Sequence, residues 1–69
     1  MTRTRIQIEN ENLEGLQQRL NELMTFTINE RITWTEGDFW TTGMLESTHS
    51  ECEDLQEITE QFQLEIENQ

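Results

Sequence analysis

Lysine is absent from this chain, and no arginine follows Arg31. The last 38 residues carry ten carboxylates, from Glu36 to Glu67, against a single histidine. The first 31 residues are nearly neutral, with Arg3, Arg5, Arg19 and Arg31 set against five glutamates. Almost the whole net charge of −11 therefore lies in one half. So one-sided a field repels nucleic acid and anionic membranes and attracts basic protein surfaces. The expected partner is a basic protein of the nucleic-acid-binding kind, with no direct nucleic-acid contact and no membrane.

Other absences narrow the class further. No stretch approaches the ~18 apolar residues of a membrane span. The N-terminus, with Arg3 and Arg5, lacks the apolar run of a signal peptide. A lone cysteine, Cys52, excludes an internal disulfide, so a reducing cytoplasm is the expected home, a host's cytoplasm if the chain is viral. Alanine and valine are missing too, which leaves Ile, Leu, Phe, Met and Trp to build a core of few, large side chains. A chain of 69 residues makes one domain, 1–69. At this size only ~60% of the unfolded surface is buried, which suits a small core and not a deep enzyme cleft. A homodimer or a partner would supply further burial.

High charge with 32% hydrophobic residues pulls toward disorder. The patterning pulls toward a folded domain. Salt adaptation explains the acidity poorly, since Glu outnumbers Asp thirteen to two.

Residues 2–9 alternate, with Ile6 and Ile8 on one side and Arg3, Arg5 and Gln7 on the other, as in a half-buried strand. Over 11–24 the period changes. Leu13, Leu16, Leu20, Leu23 and Met24 fall within about 100° of arc on a helix, which Asn10 or Asn12 can cap. Gly15 falls on its solvent side. Residues 25–35 return to period two through Phe26, Ile28, Ile32 and Trp34, with threonines between, so a strand is expected. Glu30 breaks the parity, and a bulge near Asn29–Glu30 would absorb it. Glu36-Gly37-Asp38 is a turn. With Glu36 and Gly37 at the tip, Trp34 lies across from Phe39 and Ile28 across from Leu45, while Trp40 and Met44 point to the other face.

Ser50-Glu51-Cys52-Glu53 has the form of a capping box and opens the next helix. Leu55, Ile58, Phe62 and Ile66 share one side of it, and Glu53, Asp54, Glu57 and Glu60 the other. Leu64 does not fit. From Phe62 the apolar residues alternate with Gln63, Glu65 and Glu67, so a last strand over 62–67 is expected. The order is then that of the ferredoxin-like βαββαβ plan. It is an α+β fold with a small four-stranded antiparallel sheet and two helices on one face. Arg3 and Arg5 on the first strand would face Glu65 and Glu67 on the last. The alternative is βαββα with a longer C-terminal helix.

No catalytic motif is present, and the chain is expected to be non-enzymatic. His49 and Cys52 have the spacing of half a metal site, yet no second histidine or cysteine completes one, so no metal and no cofactor are expected. Carboxylates crowding Cys52 disfavour a nucleophilic thiolate. The acids are too many and too evenly spread for one acid–base pair to stand out. Trp40 and Met44, with Thr42 between, would project from the uncovered sheet face. An exposed Trp–Met patch suits a protein contact or a dimer, and the basic groove of single-strand binders is missing.

The stripe Glu53, Asp54, Glu57, Glu60 is either a solvated helix face or a mimic of a phosphate backbone, joined by Glu36, Asp38 and Glu46. By size, acidity and lack of catalytic residues the chain resembles phage-encoded inhibitors of host defence, the anti-restriction and anti-CRISPR DNA mimics. The resemblance is one of composition and carries no residue roles. It implies a protein that blocks a basic, nucleic-acid-binding surface. The rival expectation is a small cytoplasmic scaffold or accessory subunit that self-associates through its sheet face.

Overall fold

In the computed structural model, which describes all 69 residues, three strands form one antiparallel sheet beneath three helices. Strand β1 (Thr2–Glu9) leads through a 3-10 turn (Asn10–Asn12) into helix α1 (Leu13–Leu23). A single helical turn, α2 (Ile28–Arg31), precedes strands β2 (Thr33–Glu36) and β3 (Trp40–Ser47), and helix α3 (His49–Glu67) closes the chain. The sheet order is β1-β3-β2, so the last strand in sequence is the central one. The fold class is α+β, and the architecture is that of the longer C-terminal helix.

The alternation of β1 places Thr4, Ile6 and Ile8 inward. On β3 the inward set is Thr41, Gly43, Leu45 and Ser47. Leu16 and Leu20 of α1, Ile28 and Ile32 around α2, and Cys52 and Leu55 of α3 complete one core. Each helix thus buries one stripe against one sheet face, and the other sheet face is bare.

Several expectations give way. The first is the fourth strand. Residues 62–67 continue α3, because Phe62 and Ile66, four apart, lie on the same helix face as Leu55. No glycine or proline interrupts them. Only Leu64 belonged to the strand pattern alone, and it is half exposed. Glu65 therefore pairs with Arg19 of α1 at 2.8 Å, and Arg3 turns to Glu46 on β3 at 3.1 Å.

The second is the strand over 25–35. Ile28 and Ile32 are four apart, a spacing that fits one helical turn as well as alternate strand positions. The turn forms, with Ile32 N–H donating to the Ile28 carbonyl at 3.2 Å. It carries Glu30 out to solvent, which settles the parity conflict without a bulge. Asn29 ties the turn to α1 by donating to the Gln17 carbonyl at 2.9 Å. Phe26 is exposed.

Third, the hairpin tip is Asp38–Phe39 and not Glu36–Gly37. Gly37 N–H donates to the Trp40 carbonyl at 2.8 Å, and Trp34 lies opposite Gly43. Phe39 accordingly stands in solvent, while Trp40 and Met44 do point away from the helices. The displacement has a packing cause. The Trp34 indole covers Gly43 so closely that a β-carbon there would lie 2.7 Å from Cζ3.

Fourth, the cap of α3 is Thr48, two residues before Ser50. Thr48 Oγ1 accepts from Glu51 N–H at 3.2 Å, and the capping sequence is Thr48-His49-Ser50-Glu51. On α1, Gly15 does not face solvent. It meets the ring of Phe62 on α3, where an added β-carbon would lie 2.9 Å from Cζ. Leu23 is exposed.

Candidate functional site

The four arginines decide which carboxylates remain free. Arg31 Nη1 donates to Glu51 Oε2 at 2.9 Å, and its Nη2 donates to the Ser47 hydroxyl at 2.7 Å. Ser47 in turn donates to Glu51 Oε1 at 2.6 Å. The Arg31 hydrogen bond, followed by that of Ser47, holds the Glu51 carboxyl down to about 2. This cluster fastens α2 and the end of β3 to the first turn of α3. Arg19 bridges to Glu65 and lies 5.6 Å from the centre of the Phe62 ring. Its hydrogen bond lowers the pKa of Glu65 and raises its own. Arg3 is spent on Glu46. Arg5 alone has no carboxylate partner, and it lies across from Met44 on the bare sheet face.

Twelve of the fifteen carboxylates have no arginine partner, and four of these share the outward face of α3. Glu53, Asp54, Glu57 and Glu60 are all exposed, and no arginine reaches them. The one basic side chain near the stripe is His49, whose Nε2 lies 3.0 Å from Glu53 Oε1. Glu53, Glu57 and Glu60 follow helical spacing, so the structure brings the stripe together on one face. It does not bring the other acids to that face. Glu46 lies on the opposite side of the sheet, paired with Arg3. Glu36 ends β2 and Asp38 is in the hairpin tip.

Trp40 and Met44 both stand on the bare sheet face, 49% and 37% exposed. Trp40 sits opposite Glu9. The sequence reading overlooked what holds this end in place, which is Asn10. Its amide nitrogen donates to the Gly37 carbonyl at 2.9 Å and the Asp38 carbonyl at 3.3 Å, and its oxygen accepts from Thr41 Oγ1 at 2.7 Å. An asparagine directly after a strand was the only signal for it, and that signal also fits a helix cap.

His49 and Cys52 do not form a pair. His49 is exposed at the start of α3. Cys52 is buried, its thiol directed at the carbonyls of Thr2 and Leu45 at 3.5 and 3.9 Å. No three His, Cys, Asp or Glu side chains converge on a point. No helix is long and apolar enough to cross a membrane. Comparison with protein-family models, curated proteins and solved structures finds no match.

Proposed function

We propose that this protein is a non-enzymatic binding protein whose acidic α3 face occupies a basic, nucleic-acid-binding surface of a partner protein and blocks it. The observation that carries the reading is the uncompensated stripe Glu53, Asp54, Glu57, Glu60, left free while three of the four arginines are spent on other carboxylates. A helix rises 1.5 Å per residue, so these four charges are spread over roughly 10 Å. That is about one charge per 3.5 Å, close to the ~3.4 Å of one DNA strand. Lys and Arg groups spaced to meet phosphates can therefore meet this helix. A partner of that kind is met in the cytoplasm, and an inhibitor of host defence of the phage-encoded type is one biological setting that fits.

The test uses the immobilised domain to capture basic proteins from lysate at low salt, and then labelled duplex DNA bound to the captured protein. The intact domain is expected to displace the DNA, and Glu53→Gln with Glu57→Gln to displace it poorly. Capture without displacement, unchanged by the substitutions, would assign the domain to the scaffold class instead.

A further inference from the structure

At the end of the sheet, exposed apolar surface adjoins several acidic residues. Phe39 is 78% exposed and Trp40 is 49% exposed. Trp40 contributes to the lining of two concavities at this end. One extends toward Glu11, Asp38 and Phe39. The other extends toward Ile66 and Glu67 in the last turn of α3. Glu9, directly opposite Trp40, borders both. Glu9, Glu11, Asp38 and Glu67 form no ion pair with any arginine of the chain. Arg5, the unpaired arginine, is four residues back along β1, about 13 Å away at the strand rise.

The surface is also set in advance. Asn10 fixes the hairpin tip to the end of β1 through the hydrogen bonds described above, so the aromatic side chains do not depend on a mobile loop. The last turn of α3 contains no basic residue. Arg19 of α1 brings one positive charge to this turn through Glu65, whereas Glu67, which shares the sign of the helix's own C-terminal dipole, has no arginine partner. Sequences break such local rules mainly at functional sites.

A planar cation satisfies all of these features together. A guanidinium stacks on an indole face and donates in a fork to flanking carboxylates, whereas an ammonium offers only a point charge. We infer that the Trp40 end of the sheet is the receptor for an arginine side chain carried on a loop of the basic partner. The inference rests on the reading of a basic partner. It adds a second contact, away from the α3 stripe, that selects arginine over lysine.

The test is an NMR titration of the full chain with a short capped peptide of alternating glycine and arginine, and with its lysine counterpart. The Trp34 indole N–H is buried and serves as an internal control. The Trp40 indole resonance is expected to move while that of Trp34 stays, with the arginine peptide binding more tightly than the lysine one. Trp40→Ala is expected to weaken binding by about two- to fivefold, the worth of an exposed cation–π contact. Glu9→Gln with Glu67→Gln should weaken it as well. Glu53→Gln with Glu57→Gln should leave it unchanged, and each variant is checked for folding by its backbone spectrum.

Three results would overturn the inference. They are an unmoved Trp40 at millimolar peptide, equal binding after Glu9→Gln with Glu67→Gln, and Trp40 shifts that depend on protein concentration without peptide, which would give the face to a second copy. None of them touches DNA displacement by the α3 stripe. Loss of that displacement with the Trp40 shifts intact would sink the mimic reading alone.

Discussion

At Gly43 the central strand runs beneath the Trp34 indole with no space for a methyl group, since a β-carbon would also lie 3.1 Å from Ile32 Cγ2. Glycine inside a strand commonly marks such a close approach. Gly43→Ala should destabilise the fold by about 1–3 kcal/mol, the usual cost of overpacking, as measured by urea denaturation. An unchanged midpoint would mean that the indole moves aside freely. Glu51 gives a second prediction at this scale. Its carboxyl is held down to about 2 in the folded state, against ~4.3 for an ordinary glutamate. A depressed folded value adds stability that is complete above the unfolded value and fades as pH falls through the folded one. Glu51→Gln should therefore be less stable than the parent at pH 7. The gap should close between roughly pH 4.5 and 2. A gap of constant size across a pH series of urea melts would show that Arg31 contributes no charge-dependent stability there.

At the scale of elements, α3 separates three apolar residues that a strand would treat alike. Leu64→Ala should change stability by less than about 0.5 kcal/mol, as at an exposed position. Phe62→Ala, at the contact with Gly15, should cost more, though less than the ~3–5 kcal/mol of a fully buried ring. Equal large losses at both would restore the last strand. The same residues show what the sequence could reveal. Strand β1 was legible because Ile6 and Ile8 leave no other period, and α1 because five apolar residues share an arc. Ile28 with Ile32, and Phe62 with Ile66, fit both a helical turn and a strand, and only long-range packing chooses. The hairpin register was illegible for the same reason. It depends on Trp34 finding Gly43, a contact between residues that carry no local signal for each other. The acid stripe was readable from its helical spacing. Its isolation was not, because that depends on where the arginines are drawn by the tertiary fold.

For the whole molecule, charge is sorted by the fold. Arginines fasten the elements together at Glu46, Glu65 and Glu51, and among the carboxylates with no such role four share the outer face of α3 while Glu9, Glu11, Asp38 and Glu67 line the concavities at the Trp40 end. Glu53→Gln with Glu57→Gln should leave stability unchanged or raise it slightly at low salt, as self-repulsion eases. The central claim is that this outer face is the docking surface. Its most direct test is the association rate of the domain with the captured basic partner, followed by stopped flow across a salt series. Electrostatic steering predicts a rate that falls steeply with salt for the parent, and a slower rate with a flatter slope for the double variant. Equal rates and equal slopes for the two proteins would contradict the account and leave the stripe as a solvated helix face.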